Sequence, residues 1–140
     1  MKTELKNSEL EFVKDRLYKT KASLVVLYKN GTCREYYNKR VIDIKNILNE
    51  DKNALKDAII ADKVIGKLAA SLLTYAGVKA IYANTISSYA IPVLENNNIQ
   101  YEYNIKTEYI KNNEKTEMCP MENKYKDETD LSKIFKDIIG

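Results

Sequence analysis

The 140-residue sequence has no histidine and no tryptophan, two cysteines, two prolines and four glycines; only three of its 23 basic residues are arginine. Without histidine it lacks the commonest general base, the commonest metal ligand and the usual neutral-pH switch. Arginine supplies bidentate recognition of phosphate and guanine, whereas lysine is a general solubilising charge. Arg16, Arg34 and Arg40 are scattered, and Lys39-Arg40 is the only adjacent basic pair. The charge balance runs from +4 over 1–50 to +1 over 51–100 and −2 over 101–140. The net +3 therefore reads as a solvated surface, and no nucleic-acid partner is expected. No long apolar run is present either. The longest uncharged stretch, Ala80 to Leu94, contains Asn, Thr, two Ser and two Tyr, so no membrane partner is expected. The polar N-terminus does not read as an export signal, which predicts a cytoplasmic protein with both thiols reduced. Cys33 and Cys119, far apart and without histidine, make only half of a zinc shell, so no metal and no cofactor is expected.

What is present is ordinary for a globular chain: 44% hydrophobic and 31% charged residues, at a length that suits a single domain over 1–140. Leu10, Val13 and Leu17 at helical spacing, with Ser8 and Glu11 as a capping box, predict a helix to about Lys19. Two β-branched and aromatic runs, 23–28 and 33–37, flank Asn30-Gly31 and predict a hairpin. A short helix follows through Ile44, Ile47 and Leu48, and 51–57 reads as a further helical turn or a loop. A buried strand is expected at 58–61, ending at Asp62-Lys63, then a helix over 64–76 stopped by Gly77. Next come a strand at 78–83, a helix at 87–95 with Pro92 near its first turn, and a strand at 99–105. A last helix is predicted from about Asp130 to Ile139. The N-terminal segment 1–22 and the C-terminal helix in 126–140 are expected to pack together. Strand–helix–strand–helix–strand with short connections predicts an α/β fold with parallel pairing.

Such sheets bind ligands at the carboxyl ends of their parallel strands, where helix N-termini offer free N–H groups. The junctions at Asp62-Lys63 and at Ser87-Ser88 are therefore candidate ligand-binding positions, although Asp62, and Ser87 or Ser88, also read as plain helix caps. Gly66-Lys67 resembles the end of a phosphate-binding loop, but Ala61 and Leu68 stand where that motif needs Gly and Ser/Thr. In Cys119-Pro120-Met121-Glu122, the cysteine is placed as a helix cap, proline at the first position and glutamate at the third. Cys119 is the candidate catalytic nucleophile, or else a structural thiol. Tyr101 and Tyr103 share one strand face, as a stacking pair or as half-exposed sheet residues.

Ala61-Asp-Lys-Val-Ile-Gly-Lys-Leu-Ala-Ala-Ser-Leu-Leu, Gly77-Val-Lys-Ala-Ile-Tyr-Ala and Met118-Cys-Pro-Met-Glu122 together resemble small prokaryotic proteins of the domain of unknown function 1893 family. The likeness runs from about Ala58 to Glu122 and is loose before Ser23. It implies a cytidine-deaminase-like fold, a three-layer α/β/α arrangement around a mixed five-stranded sheet. Zinc deaminases of that fold need His- or Cys-x-Glu and Pro-Cys-x-x-Cys at two helix starts. Here those slots read Asp62-Lys63-Val64 and 85–89, so zinc-dependent deamination is expected to be absent. The leading reading is a non-zinc domain holding a small polar or anionic ligand at helix N-termini, through Asp62, Lys63, Gly66, Lys67, Ser87, Ser88 and Glu122. The alternatives are a Cys119-dependent sulfur- or acyl-transfer enzyme and a structural or regulatory homodimer.

Overall fold

The computed structural model describes residues 7–39, 41–112, 114–115 and 117–139. Helix α1 (Asn7–Lys19) lies where the apolar spacing predicts, and it buries Leu10, Val13 and Leu17. Strand β1 (Leu24–Leu27) turns back into β2 (Cys33–Tyr36) with Leu24 opposite Tyr36 and Leu27 opposite Cys33. Gly31 sits at φ +94° in the connecting turn, and the Asn30 side chain accepts from Thr32 N, as the Asn-Gly pair foretells.

Helix α2 (Ile42–Glu50) packs Ile44, Ile47 and Leu48 inward, and 51–57 is a run of turns. Strand β3 (Ile59–Ile65) corrects the expected stop at Asp62-Lys63. It is central, hydrogen-bonded to β1 on one side and to β4 (Ala80–Ser87) on the other, with Asp62 opposite both Leu24 and Ala83. Pairing on both sides outweighs the local preference of two charged residues. Helix α3 (Lys67–Tyr75) accordingly starts three residues later than expected, with Gly66 as its cap. It ends as predicted at Gly77 (φ +90°), where Val78 N donates to Leu73 O and Gly77 N to Thr74 O.

Strand β4 is likewise longer than its apolar run. Residues 84–87 pair with β5 (Gln100–Thr107), which delays α4 to Ile91–Asn96, with Pro92 in its first turn. Two C-terminal helices follow, α5 (Pro120–Tyr125) and α6 (Leu131–Ile139). The sheet order is β2-β1-β3-β4-β5. β1 is antiparallel to both neighbours, and β3, β4 and β5 are parallel.

The result is a three-layer α/β fold with the sheet between unequal helical layers. On one face α1 covers Val25, Ile59, Ala61, Ala80 and Tyr82. The larger core, on the other face, takes side chains from α2, α3, α4, α5 and α6 together with Leu24, Val26, Ile60 and Ile81. The C-terminal helix does not pack on the N-terminal one, contrary to expectation. Ile134, Phe135 and Ile139 of α6 belong to the core that α2 and α3 share, across the sheet from α1.

Candidate functional site

Asp62 lies inside β3, on the sheet face that α2 and α3 cover, and is not a helix cap. Its side chain is 5% exposed, and Oδ1 accepts from Val64 N at 3.3 Å. Burial pushes its carboxyl up to about 8, against the opposing pull of the Val64 and Lys63 N–H groups, and the nearby Asp43 carboxylate adds to the rise. Asp62 is therefore held mostly protonated at neutral pH. Asp43, in the first turn of α2, is also buried; it accepts from Asn38 N (2.9 Å) and Asn38 Nδ2 (2.7 Å). Lys63 is exposed, and its main-chain N donates to Ser23 O.

Gly66, Lys67 and Glu122 do come together, but they face each other. The Glu122 carboxylate, 2% exposed, accepts from Lys67 N at the start of α3 and from Ile110 N at 2.8 Å. It fills the position that an external anion would take at that helix end. The Lys67 ammonium reaches back to the end of α5 and donates to Lys126 O (3.2 Å) and Glu128 O (2.6 Å). Burial lowers its pKa, while Asp127, Glu128 and Glu122 hold it up. Gly66 is required by close approach, because a Cβ there would lie 2.8 Å from both Glu122 Oε1 and Ile110 Cγ1. Gly66-Lys67 and Glu122 are thus the halves of one latch, which ties Ile110, Lys126 and Glu128 to the start of α3.

Cys119 caps α5 with Pro120 at the first position, as the motif predicts, and is half-buried. Its N donates to Ile110 O and its O accepts from Asn123 N. Glu122 does not close a capping box with it, because its carboxylate is engaged by α3. Ser87 Oγ accepts from Ala90 N ahead of α4, and Ser88 Oγ donates to Glu108 O. Both thus stitch the end of β4 to the chain around it.

A concavity lies elsewhere, between the β1–β2 hairpin and α2. It has a volume of about 530 Å³ and is lined by Tyr28, Arg34, Tyr36, Asp43, Asn46 and Glu50, among others. Arg34 and Tyr36 share the face of Leu24 and Val26, while Asp43, Asn46 and Glu50 recur along one side of α2. The Tyr28 and Tyr36 hydroxyls are 2.5 Å apart; burial first, and this bond second, raise the Tyr28 phenol above its ordinary value. Sequence reasoning missed this groove. The available signal was alternation in β2 set against a polar side of α2, and it becomes a wall only once the two elements face each other. Of the residues predicted for a site, none lines this groove.

Residues 12–139 match the family described as Domain of unknown function (DUF1893). This chain belongs to the DUF1893 family. A crystal structure of a DUF1893 family protein (TM1506) from Thermotoga maritima superposes with a TM-score of 0.85 at 21% identity, covering 96% of this chain and 90% of that one. At that identity the likeness shows the fold alone. No curated protein matches. For this DUF1893 chain, the residues at the true helix starts do not fit zinc. Gly66-Lys67-Leu68 opens α3 and Ala90-Ile91-Pro92 opens α4, with no Cys, His or Glu at either. Among the described residues, no three metal-ligating side chains converge. Nor is any helix among them long and apolar enough to cross a membrane.

Proposed function

We propose that this chain is a non-zinc, deaminase-like domain that binds a small polar molecule bearing amino groups or positive charge in the groove between the hairpin and α2. The observation that carries this reading is the lining of the 530 Å³ groove, where, among the described residues, Asp43, Glu50 and Asp51 outnumber one cation, Arg34. Its volume falls in the range of about 300–1,000 Å³ usual for small-molecule sites. The tyrosine hydroxyls and Asn46 supply directional hydrogen bonding, and the flanks of Tyr28 and Ile47 supply apolar contact. The α3 N-terminus is a poorer place for an anion, since Glu122 already occupies it. The deaminase-like assignment is supported by a mixed five-stranded sheet layered with helices.

The test is a ligand screen by NMR and thermal shift with nucleosides, amino acids and diamines, set against their phosphorylated counterparts. Amine-bearing compounds are expected to shift the Arg34 and Asn46 side-chain signals and raise Tm, and Glu50→Gln with Asp51→Asn to weaken binding about tenfold. Phosphorylated compounds binding at the start of α3, with the groove silent, would overturn this reading.

A further inference from the structure

Strand β5 lies at the edge of the sheet and, among the described residues, pairs with β4 alone. Thr107 O accepts from Ser88 N beside β4, so the odd-numbered residues turn their main chain inward. Glu102, Asn104 and Lys106 therefore turn theirs to the open edge. Tyr103, Asn104, Ile105 and Lys106 are exposed in succession, and the two apolar side chains among them, Tyr103 and Ile105, are 42% and 52% exposed. The strand carries no proline. Its register against β4 is the same at Ala80–Gln100 as at Ser87–Thr107, so no bulge twists the edge away.

The strand is also its own complement. Laid antiparallel on a second copy about a two-fold axis through Asn104, Glu102 of each copy meets Lys106 of the other. Tyr103 meets Ile105 twice, and Asn104 meets itself. In this register the residues whose main chain faces outward meet each other, so their N–H and C=O groups can exchange hydrogen bonds. Centring the axis on Glu102 would oppose two carboxylates, and centring it on Tyr103 would leave Glu102 opposite Asn104. Charge and apolar matching thus select a single register.

We infer that the β5 edge is the contact through which two copies of this chain pair, joining their sheets into one. On one face the pairing covers Tyr103, which stacks on Tyr101 with ring centroids 6.4 Å apart, and Ile105. On the other face it places two copies of Asn104 side by side, each bonded through Nδ2 to its own Asn84.

Sedimentation equilibrium of the full chain across micromolar to millimolar concentration tests it. The chain should form a dimer, and Glu102→Lys and Lys106→Glu should each weaken it about tenfold or more by setting like charges opposite each other. The double variant E102K/K106E should restore wild-type association, which also shows that the single variants did not simply misfold. A monomer at every concentration, a dimer indifferent to the single changes, or a double variant that stays dissociated would each overturn the inference.

Discussion

Asp62 is a carboxyl buried within the middle strand of the sheet. A carboxyl raised to about 8 in the folded state binds a proton that the unfolded chain, near 4, has already released at neutral pH. The stabilisation tied to that proton is complete below the unfolded value and is lost as pH rises through the folded one. Stability should therefore fall between about pH 4 and pH 8 on account of this residue. Asp62→Asn, neutral at every pH, should lie close to wild type at pH 4 and exceed it by at least about 1 kcal/mol at pH 8.5. Urea unfolding of both proteins at the two pH values measures this; parallel curves would show that Asp62 ionises freely in place. Gly66 makes a second residue-scale prediction. Gly66→Ala drives a Cβ into Glu122 and Ile110 and should cost about 1–3 kcal/mol, read from the same unfolding curves.

Among the elements, α3 and α5 depend on each other through their ends. The Glu122 carboxylate serves the open N–H groups of Lys67 and Ile110, and the Lys67 ammonium serves the open carbonyls that follow α5. Both charges are buried, so removing either strands polar groups away from water. Glu122→Ala should destabilise by about 3 kcal/mol, whereas Glu122→Gln, which keeps an acceptor, should cost less. Amide exchange checks the location of the damage: in Glu122→Ala, protection should fall first at Lys67 and Ile110 and not in the β1–β2 hairpin. Gly66-Lys67 of the first motif and Glu122 of the second are two sides of one packing contact, which exchanges charge for backbone groups inside the chain.

Across the whole molecule, the helical layers on the two faces are unequal. Among the described residues, α1 covers β1, β3 and the start of β4 on one face and leaves the β5 side open there, where Tyr18, Tyr82, Asn84 and Asn104 form a hydrogen-bonded strip. The other face carries the larger core, and α6 closes it with Ile134, Phe135 and Ile139. A chain ending before Leu131 should lose cooperative unfolding or several kcal/mol of stability, because a wide apolar surface around α3 would meet water. Circular dichroism against urea would detect this, and Ile134→Ala alone should cost about 2–5 kcal/mol.

Local chemistry was enough for whatever depends on neighbours in the chain. The spacing of Leu10, Val13 and Leu17, the Asn30-Gly31 turn, the stop at Gly77, the cap at Cys119-Pro120 and the α/β class are all written in residues a few positions apart. The ends of β3 and β4 were not legible, because Asp62-Lys63 and 84–87 are polar and their strand state comes from partners distant in sequence. The role of Glu122 was hidden for a similar reason. Its spacing from Cys119 suggests a local cap, and only the approach of α3, 55 residues away, redirects its carboxylate to Lys67 N. The groove and the two-sided burial of Asp62 are likewise products of packing. Long-range pairing and burial set the energy of these groups, and neither leaves a periodic mark on the chain.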